Sequence, residues 1–262
     1  QPSVARIEYE NKAAYAQTTY EISDEFRVTT GLRYTVDTTE GTNAQMVYAG
    51  FPGSSPGAPT RGPGCVLSPA TGVAPPDCRQ DLDTETDAPT WLIGLDYLPT
   101  DDLMLYAKYA RGYRQGSLNM FAAEGVQEFD AEEVDAYEIG SKWSFDAPLP
   151  GTLNVALFYN ELSDQQLQVG YSSSTGEAAF TTGIVNAGAS TIQGAEIETT
   201  LELYEGLMFS LSYTYLDTEL DETELPQIAP GSPYDEVTGF MEAGSELTFS
   251  PDHTVTAALN YR

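Results

Sequence analysis

Apolar and polar residues alternate along most of this chain with a period of two. The clearest example runs from Phe26 to Asp37, where most even-numbered positions are apolar and the odd-numbered positions are polar, charged or glycine. A period of two places alternate side chains on opposite faces of a strand, whereas a helix would scatter them around its axis. The chain is therefore predicted to be all-β and antiparallel. Nine such strands are predicted, at residues 13–22, 26–37, 88–97, 103–113, 132–145, 152–161, 192–203, 207–215 and 248–261.

The connections between these predicted strands alternate between short and long. Short turns follow the first, third, fifth and seventh strands, while long segments follow the second, fourth, sixth and eighth. An antiparallel meander then carries every long segment at one end, which is typical of outer-membrane barrels and has no reason in a soluble β-sandwich. The long segments are predicted to be irregular loops, at residues 38–87, 114–130, 163–189 and 217–245.

Charged residues on the polar faces of the strands favour a transmembrane β-barrel as well. They lie in mid-strand, where a sandwich needs a dry interior but a wide barrel has a polar lumen. Aromatic residues gather towards strand ends, which is typical of the girdles at membrane interfaces. The predicted lumen charge network comprises Arg33, Lys108, Glu138, Lys142, Glu196 and Glu198. The predicted girdle comprises Tyr97, Tyr113, Trp143, Phe145, Tyr213, Tyr215 and Tyr261.

The chain is strongly acidic, with 11 Lys plus Arg against 40 Asp plus Glu and a formal net charge of −29. Nucleic-acid binding needs a basic patch, so no nucleic-acid partner is expected. No apolar run of about 18 residues is present, which excludes a transmembrane helix but not a membrane β-barrel. The acidic segment 217–224 offers carboxylates to calcium but lacks the spacing of a dedicated calcium loop, so a solvated surface is favoured.

Candidate chemistry is sparse. His253 is the one histidine, and it belongs to no nucleophile triad or metal-ligand cluster, so we expect neither an enzyme nor a metal or cofactor. Cys65 and Cys78 lie in one segment rich in Gly and Pro. A disulfide that staples a long loop in an oxidising compartment is favoured over a metal site. A disordered linker between domains is the alternative for this segment.

Several segments, in their order and spacing, resemble the barrel motifs of TonB-dependent outer-membrane receptors. The resemblance extends from about Ala13 to Arg262, and each piece is weak alone while the ordered set is specific. The segments are Ala14-Tyr15, Gly31-Leu-Arg-Tyr34, residues 105–119 and 132–142, Leu157-Phe-Tyr-Asn160, Val185-Asn-Ala-Gly188 with residues 192–198, residues 211–217 and Pro251-Asp-His-Thr254.

This resemblance implies a 22-stranded barrel in the outer membrane of a Gram-negative bacterium, surrounded by outer-membrane lipid and with its long loops extracellular. It also implies an N-terminal plug domain and an energy-coupling protein of the TonB type. We expect residues 1–262 to be the middle part of such a barrel, with the plug and the final strands outside this chain. The implied cargo is a bulky, scarce nutrient: an iron–siderophore complex, cobalamin or an oligosaccharide.

Residues near the outer ends of the predicted strands are the candidate ligand contacts. Arg and Tyr side chains there are suited to grip an anionic chelate or to stack on a sugar, although anchoring at lipid headgroups is an equal alternative. Two other functions stay open: a calcium-binding or adhesive surface scaffold, and a passive porin-type channel, which usually folds one loop into its lumen. The candidate ligand-binding residues are Arg111, Tyr113, Arg114, Gln115 and Asn119.

Overall fold

The structure is a computed structural model, and all of its regular secondary structure is β-strand within the residues that it describes. Those residues are 4–44, 46–48, 63–65, 78–120, 122, 126–146, 148–175, 180–228, 230, 232 and 234–262. The strands are β1 (Val4–Glu21), β2 (Phe26–Ala44), β3 (Met46–Tyr48), β4 (Pro63–Cys65), β5 (Arg79–Thr100), β6 (Leu103–Arg114), β7 (Ser117–Leu118), β8 (Glu128–Phe129), β9 (Glu132–Phe145), β10 (Gly151–Ser172), β11 (Thr181–Tyr204), β12 (Leu207–Thr223), β13 (Glu236–Thr238) and β14 (His253–Tyr261).

One antiparallel wall dominates the described part of the chain. Its order is β1-β2-β5-β6-β9-β10-β11-β12-β14, and the short strand β13 adds to β10. Two small hairpins, β3–β4 and β7–β8, lie outside this wall. The predicted antiparallel all-β fold and its nine strands are confirmed, and the short turns alternate with long connections as predicted. All long connections therefore lie at one end of the wall, called here the upper end.

Several strands run further than the apolar alternation predicts, so the predicted loop boundaries are wrong. β2 and β5 pair up to Ala44 and Arg79, which turns both ends of the predicted loop 38–87 into strand. β10 and β11 pair up to Tyr171 and Thr181, inside the predicted loop 163–189. The residues added to β2 and β5 are mostly Thr, Asp, Glu and Gln, which carry no apolar period even though main-chain pairing continues. The middle of the predicted loop 38–87, at residues 49–62 and 66–77, lies outside the described residues.

The other strand limits also shift. β1 begins at Val4 rather than Ala13, and β12 continues to Thr223 inside the predicted loop 217–245. β14 begins only at His253, because Pro251 has no main-chain N–H to donate to a ladder. The predicted loop 114–130 contains the hairpin β7–β8. The alternation thus locates each strand but not its ends.

Strand pairing sorts the side chains of the wall onto two faces. One face, called here the outer face, is apolar in the middle of the wall, where Leu95, Ile139 and Leu157 are all exposed. The register places these residues in one row across β5, β6, β9 and β10. Exposed apolar side chains in a continuous row suit contact with lipid rather than water. The opposite face, called here the inner face, carries the polar and charged residues.

Aromatic contacts border the apolar band of the outer face at both ends. Tyr109 stacks on Tyr137 with ring centres 5.0 Å apart, and Tyr137 meets Tyr159 at 6.3 Å. Near the short turns, Phe26 stacks on Tyr97 at 4.5 Å. These contacts agree with aromatic girdles at two interfaces. The register also places the predicted girdle residues Tyr97, Trp143, Phe145, Tyr213, Tyr215 and Tyr261 on the outer face.

The buried core lies at the upper end of the wall, beyond the tyrosine row. Register irregularities between Leu162 and Gln166 and between Ala189 and Ser190 change which positions of β10 and β11 are buried. Below them Ser190 is buried, while above them the buried positions are the odd-numbered ones, such as Val169. Bulges re-aim side chains in this way. The cluster above the irregularities comprises Ala122, Val126, Leu167, Val169, Tyr171, Val185, Ala187, Leu220 and Tyr234.

Candidate functional site

The inner face holds the predicted lumen charges. Strand register places Arg33, Lys108, Glu138, Lys142, Glu196 and Glu198 on this face together. Lys108 is directly opposite Glu138, and Lys142 Nζ lies 5.8 Å from the centre of the Tyr106 ring. Among the described residues these six charges form no direct ion pair with one another. They constitute a polar surface of balanced sign rather than a chain of salt bridges.

The connection between β6 and β9 folds over the inner face as the hairpin β7–β8. The carbonyl of Met120 accepts a hydrogen bond of 2.8 Å from Asn43 Nδ2 on β2, while the neighbouring residue Asn119 binds the main chain of Ile184 on β11. β2 and β11 are five strand positions apart in the wall, which is about 24 Å in a flat sheet at ~4.8 Å per strand. Two adjacent residues bridge them, so the wall is curved and its inner face is concave.

Asn119 is the centre of the contact with β11. Its Nδ2 donates to the carbonyl of Ile184 at 2.7 Å, and its Oδ1 accepts from the Ile184 N–H at 2.8 Å. The same Nδ2 donates to the carbonyl of Val126 at 2.9 Å, on the returning arm of the hairpin. One side chain therefore ties both arms of the hairpin to the wall.

Two more carboxamides hold the base of the hairpin. Gln166 Nε2 donates to the carbonyls of Gln115 and Asp130, each at 2.9 Å, and so joins the outgoing and returning arms. Asn186 Nδ2 donates to the Asp130 carbonyl at 2.9 Å, and Asn186 Oδ1 accepts from the Asp130 N–H at 2.6 Å. Main-chain groups that leave a sheet need such partners, because an unpaired buried N–H or C=O is costly.

Gly41 of β2 provides the seat for the far side of the hairpin. A Cβ atom at this position would lie 2.5 Å from Met120 Sδ and 2.8 Å from Leu118 Cδ1. Leu118 and Met120 are both buried, at 6% and 5% exposure. The hairpin therefore packs directly on the main chain of β2, where a larger residue would displace the side chains of Leu118 and Met120.

The predicted ligand-binding residues fall into two places. Arg111 lies on the outer face, where its Nε donates to Asp135 at 2.9 Å and its guanidinium sits 5.0 Å from the Trp91 ring centre. The Tyr113 hydroxyl donates to the buried carboxylate of Asp37. Both side chains are thus engaged within the wall, and their role in ligand binding stays a prediction.

The remaining three candidates come together at the base and middle of the hairpin. Arg114 forms an ion pair of 2.8 Å with Glu132, and Gln115 contributes its main-chain carbonyl to Gln166. Asn119 makes the three hydrogen bonds given above. The structure places these three residues close together at the upper end of β6, where their contacts within the chain are structural ones. A ligand role for these residues stays a prediction.

A shallow recess of about 310 Å³ opens in the wall beside Arg33. Tyr15 and Arg33, both exposed, line it together with Gln17 and Thr90, and Gly31 lies in its wall. Arg33 Nε donates to Thr35 Oγ1 at 2.9 Å, which directs the guanidinium along the strand. The recess offers a cation and an aromatic ring on the inner face.

Hydrogen bonds also hold the segment around β13 against the upper end of β10. Asp235, just before β13, accepts hydrogen bonds from the hydroxyl and the N–H of Ser174. These two hydrogen bonds, the one from the hydroxyl more than the one from the N–H, hold the pKa of the Asp235 carboxyl below its usual value. Burial raises the pKa of the neighbouring Tyr234 phenol. The segment around β13 therefore packs onto the end of β10 instead of standing away from it.

Sequence reasoning missed the carboxamides on the receiving strands. Asn43 lies in a segment that carries no apolar period, and Gln166 lies on the polar side of the alternation Leu167, Val169 and Tyr171, so nothing in the sequence marks either carboxamide as a contact. Asn186 lies in the Val185-Asn-Ala-Gly188 motif, which carries the family resemblance but by itself indicates no contact. That motif was the one signal able to point to a clamp at this position.

The cysteine and metal predictions are only partly covered by the described residues. Cys78 is buried and disulfide-bonded. The side chain of Cys65 lies outside the described residues, so its pairing with Cys78 stays a prediction. Within the described part of the chain, no three His, Cys, Asp or Glu side chains are grouped to hold a metal ion.

The curved antiparallel wall, its apolar outer face between aromatic rows and its polar inner face define a segment of an outer-membrane β-barrel. No helix in the described residues has the length and apolar character needed to cross a bilayer. The sequence model of the TonB-dependent receptor-like β-barrel matches residues 1–262. The chain belongs to the TonB-dependent receptor family, a family of transporters and receptors of the Gram-negative outer membrane.

Similar proteins agree with this assignment. The probable TonB-dependent siderophore receptor PiuA of Acinetobacter baumannii is 29% identical over 144 residues, 52% of this chain and 18% of PiuA. The pesticin receptor of Yersinia enterocolitica is 24% identical over 219 residues, 82% of this chain and 27% of that receptor. The structure of the ferric yersiniabactin uptake receptor FyuA from Yersinia pestis superimposes with a TM-score of 0.69 at 19% identity, covering 99% of this chain and 32% of FyuA. The chain thus spans about a third or less of these relatives.

Proposed function

We propose that this chain forms part of the barrel of a receptor that takes up iron–siderophore complexes across the outer membrane. The observation that carries the proposal is the family match over residues 1–262, together with similar proteins that are named as siderophore or ferric siderophore receptors. The energy comes from a TonB-type protein that acts through a plug domain outside this chain. Cobalamin and oligosaccharides are the other cargo classes that the proposal has to exclude.

The geometry of the described wall supports a transport role. Among the described residues, the six predicted lumen charges of the concave inner face form no direct ion pairs with one another, so they suit a hydrated lumen. The hairpin β7–β8 occupies part of this face at the upper end and narrows the approach to it. Uptake then depends on contacts that differ between a resting and an energised state, rather than on covalent chemistry.

The test is a growth assay with the full-length receptor in a strain that lacks its own ferric-siderophore receptors. Under iron limitation, ferric catecholates, ferric yersiniabactin, cobalamin and malto-oligosaccharides would be supplied one at a time, with and without an active TonB system. Growth on a ferric siderophore that needs both the receptor and TonB supports the proposal. Receptor-dependent uptake of cobalamin or oligosaccharide alone, or uptake that continues without TonB, would overturn it.

A passive channel is the second candidate, because one connection does fold into the concave face, as is usual for porins. Planar-bilayer recording on the purified full-length receptor separates the two functions. A steady ionic conductance without ligand or TonB would favour the passive channel. A closed pore under the same conditions would favour the receptor.

A further inference from the structure

The hairpin β7–β8 differs from a free extracellular loop because the wall holds it at both sides and at its base. The described parts of its two arms, residues 115–120 and 126–131, contact β2, β10 and β11. Four carboxamides make these contacts, and each of them binds main-chain atoms. Those side chains are Asn43, Asn119, Gln166 and Asn186.

We propose that these two arms form a fixed crossbar over the extracellular mouth, and that the four carboxamides are positioning residues for it. Asn119 then acts as a clamp on Ile184 and Val126, and not as a ligand contact. Cargo reaches the lumen beside the crossbar. The part of this proposal that concerns cargo rests on the proposed function, whereas the crossbar itself does not.

Hydrogen bonding is the first argument for a fixed element. Asn119 uses both its donor and its acceptor atoms on the main chain of Ile184, a paired contact that allows one orientation of the carboxamide. Asn186 repeats this arrangement on the N–H and carbonyl of Asp130. Release of the hairpin would leave these main-chain groups without their partners at the same time.

Packing is the second argument, and it is independent of the hydrogen bonds. Leu118, Met120, Ala122, Val126 and Phe129 are all buried in the described structure. Ala122 and Val126 belong to the same buried cluster as Leu167 and Val185 of the wall. A hairpin that swings away would expose this apolar surface to water, which opposes motion.

Gly41 is the third argument. A Cβ atom at this position would lie 2.5 Å from Met120 Sδ and 2.8 Å from Leu118 Cδ1, so these two buried side chains would have to move aside for it. A larger residue at position 41 removes the seat without touching any of the four carboxamides. Two unrelated kinds of substitution, at Asn119 and at Gly41, should therefore release the same arm.

The test uses hydrogen–deuterium exchange on the intact, full-length receptor in nanodiscs without ligand. Asn119→Ala, Gln166→Ala and Gly41→Leu should each accelerate amide exchange at least tenfold in residues 115–120 and 126–131. Gln168→Ala is the matched control, because Gln168 is an exposed carboxamide on the same strand as Gln166. The denaturant midpoint for unfolding of the barrel should be the same in all four variants as in the unmodified receptor. Exchange in the arms that is already fast in the unmodified receptor, or that ignores Asn119→Ala, would overturn the crossbar.

A cysteine pair provides a rescue that a merely destabilising change does not show. A Cβ atom at Gly183 would lie 3.5 Å from Asn119 Cγ, near the place of the sulfur in Asn119→Cys, and 3.3 Å from Tyr171 Cε2, which would have to yield slightly. The pair Asn119→Cys and Gly183→Cys is therefore the one to test for a disulfide. The single Asn119→Cys variant should exchange fast, the oxidised pair should regain protection, and the reduced pair should lose it again. The unmodified receptor treated with the same reductant controls for the disulfide of Cys78. A pair that forms no disulfide, or gives no protection, contradicts the geometry.

Uptake then tests the role of Asn119 towards cargo. The oxidised cysteine pair lacks the Asn119 carboxamide but keeps the crossbar in place, so uptake of ⁵⁵Fe-labelled ferric catecholate or ferric yersiniabactin should stay within twofold of the unmodified receptor. A large loss that reduction reverses would show that the hairpin must move. A loss that reduction does not reverse would make Asn119 a ligand contact. If the unmodified receptor takes up neither complex, the proposed cargo is wrong, while the exchange result still decides the crossbar.

Discussion

Glycines on the inner face provide a graded test of how tightly the wall is packed. Phe158 lies directly opposite Gly194 in the register, and its ring covers the glycine. A Cβ atom at Gly194 would lie 2.7 Å from Phe158 Cζ and would also collide with the main-chain carbonyl of Tyr215. The ring can turn aside, but the carbonyl belongs to the sheet and cannot. Gly194→Ala therefore forces a shift of the β12 main chain.

Two other inner-face glycines lack this constraint. A Cβ atom at Gly94 would have only ordinary contacts, at 3.9 Å from the Ala107 carbonyl and 4.0 Å from Thr29 Cβ. At Gly31 it would lie 3.2 Å from Leu92 Cγ, so a flexible side chain would have to yield slightly. Each Gly→Ala change also stabilises by about 0.4–1 kcal/mol through the unfolded chain. Overpacking of a tight site costs about 1–3 kcal/mol in the opposite direction.

The expected order of stability follows from these two terms. Gly94→Ala should equal or exceed the unmodified receptor, Gly31→Ala should be close to neutral, and Gly194→Ala should lose about 1–2 kcal/mol. The assay is guanidinium unfolding of the full-length receptor in detergent, followed by the loss of β-sheet circular dichroism, with linear extrapolation of each midpoint. Equal midpoints for Gly194→Ala and Gly94→Ala would refute the claim that the inner face is packed around its glycines.

Two further predictions use the same receptor. Arg111→Ala should destabilise it by about 1–3 kcal/mol, because the Asp135 carboxylate, 18% exposed, loses its cation and keeps only the hydrogen bond from the Tyr109 hydroxyl. Guanidinium unfolding measures this, with Arg6→Ala at an exposed position as the control expected to change nothing. Equal effects of both substitutions would refute it. The pKa of Asp235 is lowered in the folded protein, so its contact with Ser174 stabilises the fold fully at pH values above the unfolded-state pKa of about 4. This stabilisation is lost as the pH falls through the folded-state pKa. At pH values below about 4, the amide protection factors of residues 173–175 should therefore be smaller than at neutral pH. In Asp235→Asn this pH dependence should be absent. A decrease of the same size in that variant would contradict the assignment.

The part of the fold that was predictable is the part that lies in the membrane. Between the aromatic rows, lipid on one side and a polar lumen on the other impose a period of two, and Phe26 to Asp37 shows it with Thr30 as the one polar residue on the apolar face. Above the tyrosine row both faces of β2 and β5 meet polar surroundings or the hairpin, so the period disappears while the ladder continues to Ala44. The periodicity predicts where each strand lies. It does not predict where a strand ends, because main-chain hydrogen bonding between strands needs no particular side chain.

The structure brings three of the candidate ligand residues together, but the contacts that they make were not predictable from the sequence. Arg114, Gln115 and Asn119 were chosen because they end a strand near the upper girdle, and the structure does place them at the hairpin. Arg114 pairs with Glu132 on β9, whereas the wall partners of Gln115 and Asn119 come from β10 and β11. No local pattern encodes a contact between Asn119 and Ile184 across the wall. The curvature that makes this contact is a property of the whole sheet. Sequence patterns that span one strand at a time do not contain it.

The use of carboxamides at the hairpin follows from the charge of the chain. With a net charge of −29, an added carboxylate in the mouth would meet repulsion, and a buried cation would need a dedicated partner. A carboxamide carries no charge and both donates and accepts, so it can satisfy an N–H and a C=O of the same residue, as Asn119 does with Ile184. Asn119→Asp keeps the acceptor and loses both donors, and it adds a charge near the buried cluster. It should therefore release the hairpin more completely than Asn119→Ala, and exchange rates of the two variants in residues 115–120 measure the difference. Slower exchange in the aspartate variant would mean that the acceptor contact to the Ile184 N–H alone holds the crossbar.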